Sequence, residues 1–561
     1  MEPTNRTTRW QVIAQTVAWV IFMVACGLLV VGLIQHYRLG MNCDLSSDIL
    51  LSKYLAEGKG FIVSDQWFYS TELHFIHNQL IFTPLFWLTN DWFIVQTLGI
   101  MILNVLMLLA FYFLLWTMRQ DRLFPWLGTF LILPISYEVA HFINFAAAYT
   151  TYVTLAMVIW GLIFLALRQI NRKKWVWYLV GLAVTSVLTG IGGTRALTTI
   201  AVPIMAAAVF YWLFNRKTAR KKLANRFFLV AAVAFAALFV GWLINLLLGC
   251  WLHFNPFEKK FELIFTAEGF NWRDWWSRIG SIVRVFGVEF TGMGENLFVR
   301  VVMNCLAMGV IVLYLVATIT ILIKHKKYPT GTVLLTAFTA VCFAVVFGTV
   351  AFTSIEYYAR FYLPASFFVV PVIALYLTHG ITWEQLLTRG AKKLKAVVTA
   401  VAWVATLVLV LMTYVEFYFF HRFVWCGTYH EELNEIIDYC IKEGYTQGYC
   451  SFYYYNLLVQ MSNGELETWG YRDMVGVTHF DNLYPWLQLT EHLEHRPTGK
   501  IFFLVSRLAM EDMSWLAMHL TPARICDDHR HVAFNSNAFI LYVFDSVDQL
   551  IAETDILNAE F

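Results

Sequence analysis

Charge is scarce in this 561-residue chain: Asp, Glu, Lys and Arg together make up 14% of it, against about 25% in soluble globular domains. That shortfall excludes an ordinary soluble enzyme. With a net charge of only +2, nothing points to nucleic acid as a partner. No glycine-rich phosphate loop or nucleophile elbow occurs, and no Cys/His spacing matches a zinc site. Internal repeats and low-complexity linkers are also lacking. The sole N-x-S/T sequon, Asn5-Arg6-Thr7, sits in the N-terminal tail, which favours a bacterial plasma membrane over a eukaryotic secretory one. The first apolar run, from Trp10 to about Ile34, is too long for a signal-peptide core and has no small-residue cleavage site after it. It is expected to stay as an anchor.

Apolar and aromatic residues fill the space that charge leaves, at 59% and 17%, and the mean hydropathy is +0.60. Runs able to cross a hydrocarbon core of ~30 Å start near Trp10, Trp92, Leu123, Tyr149, Trp175, Ala196, Phe227, Leu297, Thr332, Phe361 and Ala396. The expected fold class is therefore a polytopic α-helical membrane protein with about 11 transmembrane helices. Basic clusters at 119–122, 168–174, 216–226, 324–327 and 389–395 recur after every second span and mark the cytoplasmic side. The N terminus joins them, and an odd number of spans sends the chain after Phe419 to the outside.

The expected organisation is a transmembrane region over 1–420, with long outer loops at about 36–91 and 251–296, followed by a small extracytoplasmic α/β domain over 421–561. In that domain the periodicity predicts a helix over 431–444 and strands over 448–454, 501–506 and 538–544. Disulfides among Cys426, Cys440, Cys450 and Cys526 would be compatible with the outside but are not required. In the second loop Trp272, Trp275, Trp276, Ile279, Ile282 and Val283 recur at helical spacing opposite Arg273, Asp274, Ser277, Arg278 and Arg284. This predicts an amphipathic helix lying in the membrane interface.

Chemistry-bearing residues gather at the outer ends of the spans. Asp44 and Asp48 follow the first span, and an aspartate at a membrane surface is costly unless solvated, paired or used. The plain structural alternative has Asp44 or Ser47 capping a short amphipathic helix that carries Leu50, Leu51, Tyr54 and Leu55 and ends at Gly58. Arg195 closes Gly190-Ile191-Gly192-Gly193-Thr194-Arg195, a tight outer connection in which close backbone approach and a guanidinium could cradle a phosphate. Arg360 stands in Tyr357-Tyr358-Ala359-Arg360-Phe361-Tyr362-Leu363-Pro364, with Glu356 an obvious ion-pair partner. Glu72, His74 and His77 form a polar cluster better suited to acceptor recognition than to a metal. His-x-x-His with a nearby acid is a weak ligand pattern, and no metal or other cofactor is favoured.

The order of one span, a long outer loop opening on Asp, many further spans and an outer C-terminal domain resembles the GT-C superfamily of membrane glycosyltransferases. Within it the chain looks most like the branch of lipid A aminoarabinose transferases and protein O-mannosyltransferases. The family pattern D-E-x-x-Y-x-x-x-A-R-x-L-x-E-G-x-G-[FY] falls on Asp44 through Phe61 and ends on Leu55-Ala56-Glu57-Gly58-Lys59-Gly60-Phe61. Leu45 replaces the second acid and Asp48 the tyrosine. The Arg360 segment resembles the family's R-Y-x-x-P, and His77-Asn78-Gln79-Leu80 stands where a His/Lys-Pro-Pro-Leu sequence is usual. The resemblance implies transfer of a sugar from a polyprenyl-phosphate donor to a glycan, lipid or protein acceptor at the outer face, with inversion. It nominates Asp44 as general base, with Asp48 sharing the proton or orienting the acceptor. Arg360 and Arg195 would stabilise the departing phosphate. Two rivals stand beside this reading: a transporter or flippase of a lipid-linked glycan, for which repeated halves and midplane charges would be expected, and a catalytically inactive relative acting as a binding scaffold.

Overall fold

The computed structural model describes residues 9–70, 73, 75–132, 136–253, 271–288, 297–353, 358–379, 404, 408, 411, 430–451, 453–471, 486–506 and 531–554. The chain forms two compact units. One comprises 1–36, 100–246 and 258–423; the other comprises 37–99, 247–257 and 424–561.

The first is a bundle of apolar helices, here the membrane unit. Along the chain, eight helices among the described residues are long and apolar enough to cross a bilayer: Val12–Gln35 within α1 (Arg9–Gln35), Trp92–Thr117, Thr150–Arg168, Thr194–Asn215, Lys221–Leu248, Val301–Ile323, Thr330–Phe352 and Ala359–Thr378. The protein is a multi-pass membrane protein. Two further expected spans take another form. Among the described residues the run from Leu123 holds the helix Phe124–Ile132, with a three-residue helix and a π-helical turn, Ala140–Phe145, further on. The run from Trp175 belongs to the helix Arg172–Gly190, whose first turn is Arg172-Lys173-Lys174. The span expected from Ala396 lies almost wholly outside the described residues.

Small residues set the closest helix crossing in this unit. A Cβ on Gly190 would run into the carbonyl oxygen of Leu238, and one on Gly241 into that of Val187; backbones that approach so closely tolerate only glycine. Where polar groups are buried they pair. Asn144 donates to Asn104 Oδ1 at 2.9 Å and Asn104 to the Asn144 carbonyl at 3.1 Å, which anchors the π-helical turn.

The second unit is built on a five-stranded sheet of β1 (Gln447–Ser451), β2 (Glu467–Tyr471), β3 (Ile501–Ser506), β4 (Val532–Asn535) and β5 (Phe539–Phe544), in the order β2-β1-β3-β5-β4. The strands β2, β1 and β3 run parallel, whereas β5 pairs antiparallel with β3 and β4. Both faces are covered: Phe502 and Leu504 join one core with Leu433, Ile436 and Leu458, while Ile501, Phe503 and Val505 join another with Trp469, Val547 and Leu550. Burial on both sides explains why β3 reads as a continuous apolar run. The helix expected over 431–444 is His430–Glu443, ended at Gly444 with φ of +81°. The strand expected over 448–454 stops at Ser451, because Tyr454 N–H turns back to the Ser451 carbonyl and the helix Tyr455–Met461 crosses over to β2. Cys440 lies in the first core, its thiol pushed up to about 12 by burial.

The long loop expected over 36–91 belongs, from Tyr37 on, to this unit. Met41 packs into the same core as Leu433 and Phe502. A chain of hydrogen bonds runs from Ser46 Oγ to Gln460 Oε1 at 2.6 Å, from Gln460 Nε2 to Gln96 Oε1 at 2.8 Å, and from Gln96 Nε2 to the Tyr37 carbonyl at 3.1 Å. Around residue 67 the loop also pairs like a strand, with Phe68 N–H donating to the Gln488 carbonyl and Thr490 N–H to that of Gln66.

Candidate functional site

The acidic residues sit on α2 (Cys43–Ala56). Its cap is neither Asp44 nor Ser47 but Asn42, whose Oδ1 accepts from Leu45 N–H at 2.8 Å. Ser47 is buried and donates to the Asp44 carbonyl. Nor is the helix amphipathic in the simple sense, since Leu45, Ser46, Ile49, Leu51, Ser52, Tyr54 and Leu55 are buried on several faces. The glycines of the family-like ending have local reasons. Gly58 follows the C-cap with φ of +86°, and at Gly60 (φ +150°) a Cβ would lie 2.5 Å from the Val63 carbonyl oxygen.

With the cap assigned to Asn42, Asp44 is a half-buried first-turn acid, placed favourably at the positive end of the helix and approached by the Cys43 thiol at 3.9 Å. Asp48, one turn on, is held from α3 (Gln79–Phe86) and the turn before it. Its Oδ2 accepts from Asn78 Nδ2 at 2.9 Å and lies 3.1 Å from His77 Nδ1. The structure thus joins Asp48 to His77 and adds Asn78, fully buried, which sequence reasoning passed over. Glu72 and His74 lie outside the described residues. Among other groups of this unit with shifted ionisation, His430 is driven down to about 4 by burial, with Arg38 adding to the effect, and burial raises Tyr69 despite its hydrogen bond from Ser64 N–H.

In the membrane unit, Arg195 and Arg360 meet one aromatic pair. The Arg195 guanidinium lies 4.9 Å from the Tyr149 ring centre, and that of Arg360 lies 5.2 Å from Phe142 and 4.5 Å from Tyr358. Phe142 and Tyr149 themselves pack edge to face at 6.1 Å. Phe142 is carried by the π-helical turn Ala140–Phe145, and Arg195 lies two residues before a second such turn, Leu197–Ala201; turns of this kind often mark functional sites. Arg360 opens a short helical turn that runs into Leu363-Pro364. The glycines beside Arg195 are accounted for by packing and chain reversal. Gly190 admits the Lys221–Leu248 helix, Gly193 turns with φ of +99°, and Asn245 and Trp242 hold the turn through the Ile191 carbonyl and Thr194 Oγ1.

Glu138, also unanticipated, lies within electrostatic reach of Arg360 and Arg284. A carboxylate inside an apolar run is itself a signal that could have found it. Glu356, the expected partner of Arg360, falls outside the described residues. The amphipathic helix is present as Trp272–Arg284, but one residue assigned to its polar face turns inward: Arg278 is buried and donates to the Thr353 carbonyl at 3.1 Å. Trp275 donates to the Ala351 carbonyl, while Trp272 and Trp276 remain exposed.

No protein-family model and no curated protein sequence matches the chain. Solved structures do. A crystal structure of the Archaeoglobus fulgidus oligosaccharyltransferase, tethered with an acceptor peptide containing the NVT sequon via a disulfide bond, aligns with a TM-score of 0.53 at 11% identity. The alignment covers 91% of this chain and 70% of that one. A second crystal structure of that transferase, with Zn and sulfate, gives 0.47 at 14% identity over 80% and 62% of the two chains. The first of these shows that the chain shares the fold of that oligosaccharyltransferase.

Proposed function

We propose that this GT-C-fold membrane protein is a glycosyltransferase that moves a sugar from a polyprenyl-phosphate donor to an acceptor at the outer membrane face, inverting the anomeric carbon. The bond from the acceptor oxygen or nitrogen to that carbon forms as the carbon–phosphate-oxygen bond breaks. The acceptor's proton goes to Asp44, and the electron pair leaves on the lipid phosphate. A half-buried carboxylate released from capping is suited to the base role. Asp48, held by His77 and Asn78, is suited to orient the acceptor rather than to exchange protons.

The observation that carries the reading is the convergence of Arg195 and Arg360 on the Phe142–Tyr149 pair. A guanidinium stacked on a ring presents its N–H donors around its rim, in the arrangement that phosphate oxygens accept bidentately. Asp48 being already engaged, the scheme calls for no resident metal. The acceptor peptide tethered in the archaeal structure makes peptide one class to test beside lipid and wall glycan. Membrane vesicles carrying the protein, supplied with a panel of labelled polyprenyl-phosphate sugars and these acceptors, should transfer label from one donor, and chelation of divalent cations should leave that transfer intact. Failure of every donor with every acceptor would count against the reading.

A further inference from the structure

Away from the acids and arginines above, the membrane unit carries an open pocket of about 790 Å³ lined by Trp212, Arg216, Lys217, Lys221, Asn225 and Phe228. It forms where the helix Val202–Asn215 ends and the helix Lys221–Leu248 begins. The surrounding sequence from 209 to 230 holds six basic residues and no Asp or Glu.

Of those six cations Lys222 lies outside the pocket lining, and the other five divide by use. Arg220 donates to the carbonyls of His325 and Lys326, and Arg226 donates to that of Gln169 and lies over Trp175, so both tie neighbouring basic segments to the same end of the bundle. Arg216, Lys217 and Lys221 are exposed in the pocket, without a carboxylate partner among the described residues. One wall is aromatic. Trp212 donates to Asn225 Oδ1 at 3.0 Å, which fixes the indole, and its ring lies 6.1 Å from Phe228 and 5.5 Å from the Arg216 guanidinium. On the same helices Leu213, Phe214 and Leu229 are exposed apolar surface.

We propose that this pocket binds the headgroup of an anionic phospholipid from the leaflet that faces the basic clusters. Three exposed cations favour a headgroup of net negative charge over a zwitterionic one, an amphipathic aromatic wall suits the depth of the headgroups, and the exposed aliphatic surface beside it accepts acyl chains. The lipid is the source favoured over a soluble phosphate because the charged and the apolar surfaces are contiguous at the ends of two spans.

The test uses the full-length protein in neutral-detergent micelles doped with equal amounts of phosphatidylglycerol and phosphatidylcholine, with bound lipid counted by native mass spectrometry. The wild type should retain phosphatidylglycerol at least about tenfold over phosphatidylcholine. The triple variant Arg216→Gln, Lys217→Gln, Lys221→Gln should lose that preference, and the charge-conserving set Arg216→Lys, Lys217→Arg, Lys221→Arg should restore it. A variant with Arg172, Lys173 and Lys174 changed to Gln, which alters exposed charges outside the pocket, should bind as the wild type does. Equal retention of the two lipids by the wild type, equal loss in the 172–174 variant, or displacement of the lipid by millimolar inorganic phosphate would each overturn the assignment.

Discussion

The two units hold their candidate chemical groups by different physics. On α2, Asp48 is fixed by a directed hydrogen bond from Asn78 at 2.9 Å, and His77 Nδ1 lies 3.1 Å from the same carboxylate oxygen. In the membrane unit, Arg195 and Arg360 rest on ring faces, a contact less directional than a hydrogen bond. A directed clamp suits a group that must aim an acceptor, because small errors in geometry cost rate. A ring-face seat suits groups that must follow a phosphate as charge accumulates on it. Asp44 shares the helix with Asp48, one turn before it.

The comparison breaks first at Asp44. Asp44→Asn keeps shape and removes basicity, and transfer should fall by about 10²–10⁴ while the protein accumulates normally, because Asn42 carries the cap. A steady-state transfer assay beside quantified membrane levels checks both halves. Next come the cations: Arg360→Ala or Arg195→Ala removes a charge-assisted contact worth about 1.5–3 kcal/mol, so kcat/KM for the donor should drop about ten- to hundredfold. Donor titrations at saturating acceptor would show it.

A smaller effect is expected at the clamp. Asp48→Asn should cost about fivefold, since a single hydrogen bond is worth about 1 kcal/mol net, and the loss should appear in acceptor KM more than in donor KM. A further effect falls on stability in acid rather than on transfer. His430 in the folded protein resists protonation down to about 4, whereas an unfolded chain takes up the proton near 6.5. Between those values the unfolded state binds more protons, so stability is full above pH 6.5, falls on acidification towards pH 4 and levels off below it, by up to about 3 kcal/mol. Unfolding curves of the detergent-solubilised protein at a series of pH values, compared with those of His430→Leu, would reveal this slope and its removal.

Much of the membrane architecture was legible because span length and apolar content come straight from the thickness of a bilayer. Eight expected spans coincide with long apolar helices, and β3 announced itself as a buried run. Other features rest on contacts that sequence spacing does not encode. Nothing in Ser46, Gln96 and Gln460 marks them as links of one chain, because the second and third stand far from α2 in sequence. β2 escaped notice since Glu467 and Gly470 interrupt its apolar pattern, and β4 because it is a four-residue strand that is only partly buried. The cap was misassigned to Asp44 or Ser47 although Asn42, two residues before Asp44, is as good a capping residue. The sequence locates Arg195 and Arg360 near the ends of apolar runs, but the shared Phe142–Tyr149 seat emerges only from the fold.

Binding of a labelled polyprenyl-phosphate sugar, measured on wild type, Asp44→Asn and Arg360→Ala side by side, tests the division between base and phosphate-holding groups most directly. The account predicts that Asp44→Asn binds the donor as the wild type does although it fails to transfer, and that Arg360→Ala binds it at least about tenfold more weakly. Wild-type donor affinity in Arg360→Ala, or full transfer by Asp44→Asn, would contradict it.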